Sequence, residues 1–586
     1  MFTVNEKIKY ILNIISSYLT IKSLIVLIKN PVITRINLLR FGPYHKNYYP
    51  YIISKQRNEI SSTNIKNINW SKFDLLFNFE IIGNKTQYPD FFLEKNMIHK
   101  FWTNSNIYLN CDIELHNASH RFKWLLFDLS LNDYNKNFSS NYRSIKKWFH
   151  IFKKQKNAIA WHPYNASERV CNLIIFFTYY NKKIIKDNKF DNFVKEIIQV
   201  HSSFLLDNLE YTASKITNNH ILNNGRALYY ISEFTENIQI KSLSKVLILK
   251  NLSKLLNKKF ILDESSVHYH FLITMWVLEV YLISKHSDDT NFTKLIKFNV
   301  YKMLDACDYF LFINSKKLQE LPKIGDVSPD MPLNWFDSRD QNNFGWTSIW
   351  NFKNNRKIYN YKDYKDVGWH KLIYQKWAIF CYLHPNKNEY PSGHGHDDFV
   401  SFLLYFEGLP ILTDIGNFSY DYKNNGKSSD YHSIFTINNK PILSSGIGYK
   451  SPISSFSRRR VVSNFEKNNF YFKGKTLSNI HWQRSIKVVN KKTIFVEDNC
   501  ENKKKNLLKG NFYLSKNLKL VSRKKNNLMF SHRNKKFSFS FDENSKIEIK
   551  KVYEFSNYGK KSKSLCISYT TINFMKLHIN YLEELY

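Results

Sequence analysis

The sequence predicts a multidomain α+β protein, with an all-helical first part followed by an antiparallel β-sheet second part. Three observations predict it: the length, the helical spacing of apolar residues before about residue 320, and the switch to short alternating segments after about residue 372. At 586 residues the chain exceeds what one core fills, so two large domains behind an N-terminal lead-in are expected. A hydrophobic fraction of 43% argues for folded structure rather than disorder.

The elements follow in chain order. Residues 1–31 are apolar in patches, but Lys7, Lys9, Lys22 and Lys29 interrupt them. The stretch is therefore expected to be neither a signal peptide nor a membrane span, and no integral membrane span is expected elsewhere. An amphipathic helix, surface-lying or buried, is the expectation there, and the sequence alone points to a cytoplasmic protein. Helical spacing then runs through Val170–Tyr180, Phe193–Leu206, Ile221–Phe234, Leu243–Leu256 and Val267–Ile283. The last is apolar nearly all round, which predicts burial inside a helical array. Asn, Lys and Tyr accumulate over Gly345–Asp366, where the domain boundary is expected. Beyond it, segments such as KWAIFCYL, HSIFTI, NFYFKG, RSIKVV, TIFVED, FSFSFD and KIEIKKVYEF alternate with Asn- and Lys-rich turns, as antiparallel strands do. The expected division is 1–100 lead-in, 101–360 helical domain and 370–586 sheet domain. A cleft between the two large domains suits a long substrate.

Charge narrows the partner. Lys and Arg number 86 against 49 Asp and Glu, a net charge of +37. A polyanion is thus favoured: an acidic polysaccharide, a nucleic acid or a membrane surface. The wealth of Asn, Ile, Tyr and Phe points to an A- and T-rich genome, which accounts for part of the lysine excess. No nucleic-acid-binding motif is present, and Arg458–Arg460 reads as a solvated turn, so nucleic acid is not an expected partner. The six cysteines form no close pair, which predicts free thiols.

Chemistry concentrates in Pro391–Gly416. His394 and His396 share a face if the backbone is extended. Asp397 and Asp398 follow, then the apolar runs Phe399–Phe406 and Leu409–Leu412 around a turn at Glu407–Gly408, and then Asp414. Two imidazoles and a carboxylate on adjacent strands suit either metal binding or proton transfer. In the helical part, Asn218-Asn219-His220 opens the helix at Ile221. It reads as an N-cap with an incidental histidine or as an anion site at a helix start. Asp263–His270 holds Ser265 or Ser266 as a cap, with Tyr269 a core residue or a catalytic one.

His394-Gly395-His396, with Asp414-Ile415-Gly416, resembles the signature of the heparinase II/III-like polysaccharide lyases. Asn219-His220 and the segment Glu264 to His270 resemble two further motifs of that family and the related alginate lyases, except that the family's Arg is missing from the second. WHPYNASERVCN from Trp161, with Arg169, and IGDVSPD from Ile324 are fainter echoes. The resemblance implies an incomplete (α/α) toroid followed by an antiparallel β-sandwich. It implies β-elimination on a uronate-containing acidic polysaccharide, with Asn219 and His220 neutralising the uronate, Tyr269 as the acid, and either His394 or Tyr269 as the base depending on substrate stereochemistry. It implies a structural zinc ion on His396, Asp414 and His432, although His432-Ser433-Ile434 stands where the family has His-Asn-Thr, and it suggests a periplasmic setting. Two alternatives stay open: a catalytically impaired glycan-binding or biosynthetic protein on the same fold, and a glycoside hydrolase using paired carboxylates among Glu264, Asp397 and Asp398.

Overall fold

The computed structural model describes residues 49–61, 63–73, 98, 102, 113–130, 134–154, 159–181, 188–211, 218–313, 316–328, 330–331, 364–383, 394–417, 426–442, 461–476, 478–501, 505–558 and 560–582. The N-terminal stretch 1–31, the Arg458–Arg460 run and all of the expected boundary except 364–366 lie outside them.

The first described part is helical: α1 (Tyr51–Asn58), α2 (Ile113–Arg121), α3 (Lys123–Ser130), α4 (Tyr134–Phe152), α5 (Pro163–Asn181), α6 (Asn188–Asp207), α7 (Asn219–Thr235), α8 (Ile238–Leu255), α9 (Val267–Ser284) and α10 (Thr290–Leu311). Burial separates two kinds. Helices α5, α7 and α9 are buried along almost their whole length. By contrast, α6 buries Val194, Ile197, Ile198, His201 and Leu205, the one face that a spacing of three and four produces, and α8 and α10 do likewise. Almost wholly buried inner helices alternate with amphipathic outer ones, as in an (α/α) toroid. Gly225 on α7 permits the closest approach: a Cβ there would lie 3.0 Å from Leu247 Cβ on α8. Among the inner helices Arg226 Nη1 donates to Glu168 at 2.8 Å and Nε donates to Glu279, so their buried charges neutralise one another. Helix α9 is long and apolar enough to cross a membrane, but it is wholly buried within the fold.

After a short antiparallel pair, β1 (Phe312–Ile313) with β2 (Lys316–Lys317), the chain runs without regular structure from Leu318 to Ser328. This segment stitches the two parts together. Gln319 N–H donates to Gly408 O at 3.2 Å, Val267 N–H to Ile324 O at 3.1 Å and Asp326 N–H to His394 O at 2.9 Å.

The second part opens with a four-stranded antiparallel sheet: β3 (Trp369–Tyr374), β4 (Trp377–Tyr382), β5 (Leu403–Phe406) and β6 (Leu409–Leu412). Its β4 strand is buried on both faces. Ala378, Phe380 and Tyr382 join the core of the helices, whereas Trp377, Ile379 and Cys381 join the core of the later strands. A period of two thus makes one strand the wall between two cores. The later strands are β7 (Phe435–Ile437), β8 (Lys440–Pro441), β9 (Val462–Phe465), β10 (Asn469–Lys475), β11 (His481–Val488), β12 (Thr493–Glu501), β13 (Leu507–Tyr513), β14 (Lys519–Lys524), β15 (Asn527–His532), β16 (Lys535–Phe541), β17 (Lys546–Asn557), β18 (Lys560–Ile572) and β19 (Phe574–Leu582). They form a five-stranded sheet, β17-β18-β13-β7-β8, and an eight-stranded one, β14-β15-β16-β19-β12-β11-β10-β9, whose apolar faces share one core. The five described cysteines are buried and form no disulfide with one another.

One local expectation is overturned. His394-Gly395-His396 is not a strand; the sheet resumes only at Leu403. The backbone at 394–401 bonds to scattered partners, His394 O to Asp326 N–H and Asp397 N–H to Lys427 O, and Val400 turns the chain with φ 66°. The polar side chains converge on a buried carboxylate instead of alternating across a sheet.

Candidate active site

Three separate segments build the site. Asn218 caps α7, accepting from Ile221 N–H at 3.2 Å, and so places Asn219 and His220 in the first turn. Ser266 caps α9 through Tyr269 N–H at 3.1 Å and orients Tyr269 one turn into that helix. His394 enters from the sheet domain. Its ring lies parallel to that of Tyr269, with centroids 3.5 Å apart and an interplanar angle of 18°. Its Nε2 accepts from Asn219 Nδ2 at 2.9 Å, while its Nδ1 donates to Asp326 Oδ2 at 2.9 Å. With Nδ1 carrying the hydrogen, the neutral ring holds its basic lone pair at Nε2.

Asn219 is more committed than the sequence implies. Its Nδ2 also donates to Glu264 Oε2 at 2.8 Å, and its buried Oδ1 has no partner. The acceptor face of the amide is the one left over. His220 Nδ1 donates to Glu210 Oε1 at 2.7 Å, and its ring lies 4.7 Å from that of Tyr164. Burial favours the neutral imidazole, but the Glu210 carboxylate outweighs it and raises the His220 pKa above the ordinary value. His220 is thereby predisposed to carry positive charge.

Asp326 joins the two histidines. One oxygen accepts from His394, the other accepts from His396 Nε2 at 2.8 Å, and Lys427 Nζ donates to Oδ2 at 2.8 Å. Burial alone raises a carboxylate pKa; here Lys427 and the two imidazole bonds hold Asp326 far below the usual range. His394 and His396 therefore share an anchor even where their outer faces serve different purposes.

Beyond His396 lie Asp414 and His432. One ligand atom from each of the three residues falls within 4.8 Å of the others, and all three residues are buried. His432 Nδ1 donates to Asp414 Oδ2 at 2.6 Å, leaving His432 Nε2 buried without a partner. Burial opposes protonation of His432, yet Asp414 raises its pKa to about 9. A nitrogen, oxygen, nitrogen donor set around an orphaned imidazole nitrogen fits a borderline cation such as zinc.

The sequence-predicted residues fall into two adjoining groups, Asn219, His220, Tyr269 and His394 in one and His396, Asp414 and His432 in the other. Arg169 is elsewhere. It is fully buried, stacked 4.0 Å from the centre of the Trp148 ring, and its Nη1 donates to Ala160 O at 2.8 Å. It thereby holds the short 3-10 turn that leads into His162. Sequence reasoning gave no role to Asp326, Lys427 or Glu210. Asp326 sat in a segment noted only as an echo, and Lys427 carries no local signal at all.

Residues 357–575 match the family profile described as Heparinase II/III-like, C-terminal. The second part of this chain is thus similar to the C-terminal domain of the heparinase II/III-like proteins. The likeness to solved structures runs further, through both parts of the heparinase-like chain. A heparinase III structure aligns with TM-score 0.63 and 14% identity over 94% of this chain and 91% of that one. A heparinase III described as the BT4657 gene product aligns with TM-score 0.56 and 15% identity over 91% and 88%. A mutant of the heparan sulfate lyase HepC from Pedobacter heparinus aligns with TM-score 0.52 and 14% identity over 91% and 88%. At such identities the fold is what is shared: a toroid followed by a β-sandwich, as the sequence predicts. None of the curated proteins matches the chain.

Proposed function

We propose that this heparinase-like protein cleaves a uronate-containing acidic polysaccharide by β-elimination. The observation that carries the reading is the contact of Asn219, Tyr269 and His394, residues from three distant segments, on a polysaccharide-lyase fold. Elimination removes the proton beside the uronate carboxylate and expels the glycosidic oxygen. That carbon acid is weak, so the carboxylate needs electrostatic support in place before the proton leaves. His220, held by Glu210, supplies the donor. His394 Nε2 offers the lone pair that takes the proton, and Tyr269 stacked beside it delivers one to the leaving oxygen. Both the base and the leaving-group acid thus stand on one side of the site.

The glycoside-hydrolase alternative finds less support. Glu264 is bonded to Asn219, and Asp326 is bonded to two histidines and a lysine, so neither stands as a member of a carboxylate pair across a bond. Incubation with alginate, heparan sulfate and hyaluronan, followed by ultraviolet absorbance of the unsaturated product, tests the elimination. Tyr269→Phe is expected to lose about a hundredfold or more in turnover, the usual worth of a general acid or base. No absorbance from any polymer would sink the reading.

His396, Asp414 and His432 are proposed to hold zinc. A bound zinc ion would brace the 394–400 segment as a fixed charge, since elimination consumes no water for a metal to activate. Metal analysis of the purified protein beside His396→Ala decides this: equal zinc in both defeats it.

A further inference from the structure

We propose that the outward face of the eight-stranded sheet is a second binding surface for acidic polysaccharide, holding the polymer while the active site cuts it. The choice of ligand rests on the lyase reading above, and the surface itself rests on the sheet. Along β10, β11, β12 and β19 burial alternates with a period of two. Phe470, Ile486, Val496 and Leu577 turn inward to the core shared with the other sheet. The residues between them face the other way, and none of them belongs to the segments that build the active site.

Register sets those residues in rows. Lys487, Phe495 and His578 are cross-strand neighbours in one row; Lys473, Gln483, Asn499 and Phe574 form another. Between the two rows Glu497 stands opposite Lys576. Lys473, Lys487 and Lys576 are exposed, and none of them is in an ion pair among the described residues. Lys576 Nζ lies 4.8 Å from the centre of the half-buried Phe574 ring rather than on Glu497. On the edge strand of the other sheet, by contrast, Lys550 pairs with Glu548 at 3.6 Å. Phe495 is likewise half-buried, its ring 4.9 Å from that of His578. An acidic sugar is apolar on the faces of its ring and charged at its rim, which matches an aromatic ring with an ammonium beside it. Amides between the rings suit sugar hydroxyls and have no counterpart in a lipid surface. The Phe495 and Phe574 rows are four residues apart along β12, about 14 Å, the reach of a chain of sugars rather than of a single one.

The test is calorimetry of the full chain carrying Tyr269→Phe, so that the polymer stays intact, with alginate, heparan sulfate and hyaluronan as probes. One variant adds Lys473→Gln, Lys487→Gln and Lys576→Gln. A control of equal charge adds Lys254→Gln, Lys294→Gln and Lys297→Gln, three exposed lysines of α8 and α10. The expected result is unchanged melting temperatures, with the sheet variant binding its best polymer about tenfold more weakly than the control does. Phe495→Ala alone is expected to weaken binding by about fivefold, which net charge cannot explain. Equal affinities in the sheet variant and the control, wild-type affinity in Phe495→Ala, or no polymer bound by the protein with its sheet intact overturns the surface. So does tighter binding of single-stranded DNA or phosphatidylserine vesicles, lost in the sheet variant, which would assign the face to another partner. If the sheet variant is selectively weakened but wild type releases no unsaturated product, the surface stands and the elimination reading falls. If wild type cleaves and the two lysine variants bind equally, only the surface falls.

Discussion

A buried carboxylate beneath an exposed imidazole decides the charge of that imidazole, and Glu210 under His220 is the clearest case in this protein. The groups facing His220 are Glu210 and Glu264, which favour its protonated form, and Arg121, which with burial opposes it; His162 stands beside it. The net direction is upward, so the Glu210 pair contributes fully below the unfolded histidine pKa and is lost as pH rises through the folded value. The alkaline limb of kcat/KM on an acidic polymer is therefore expected to follow His220 losing its proton. In Glu210→Gln that limb should shift to lower pH, with the acidic limb unmoved. A limb that stays in place would show that His220 does not supply the charge. At this scale the sequence was informative about types and silent about wiring. Asn219, His220, Tyr269 and His394 announced themselves by neighbours and motif. Asp326 acts through His394 and His396, 68 and 70 positions away, and Lys427 through Asp326, 101 positions away, which no local pattern can display.

Among elements, the irregular segment from Leu318 to Ser328 matters more to the site than any helix or strand. Gly325 adopts φ +72°, and a Cβ there would sit 2.2 Å from Ser265 O, 2.8 Å from His394 O and 2.9 Å from Ser266 Cα. All three are backbone atoms, so no side-chain rotation relieves the overlap. Gly325→Ala is expected to destabilise by about 1–3 kcal/mol and to displace Asp326, lowering turnover further than stability alone explains. Wild-type kinetics and melting temperature in that variant would refute the tight fit. The helices were legible because their apolar residues recur at three and four, and their caps could be narrowed to Asn218 or Asn219 and to Ser265 or Ser266, of which Asn218 and Ser266 serve. The misread element was the His394–His396 stretch. Its alternation of histidine and glycine imitates a strand, while its side chains answer to a carboxylate on a different segment.

For the molecule as a whole, the seam between the two parts carries charge as well as apolar surface. Lys323 Nζ donates to Glu554 Oε1 on β17 at 2.6 Å, with both side chains buried, and Glu320 lies 3.2 Å away. Burial disfavours the ammonium, but the two carboxylates outweigh it and push the Lys323 pKa up. Removing one partner strands the other away from water. Glu554→Ala is accordingly expected to cost about 3–5 kcal/mol, read as a lower urea midpoint, whereas replacing both partners with apolar residues of similar size should cost much less. Equal stability in Glu554→Ala and wild type would show the pair to be exposed in solution. The two-part fold followed from composition and period, because each part keeps a single period over most of its length. The doubly buried β4 strand did not, because KWAIFCYL gives the same reading whether one face or two meets a core.

The split ownership of the site has a consequence for the life of the chain. Asn219, Tyr269 and Asp326 are synthesised before His394, and the β17 contact that fixes the later part comes later still. On the proposed lyase reading, a chain halted before residue 394 lacks the imidazole that takes the proton, so the site is completed only once the second part has been made.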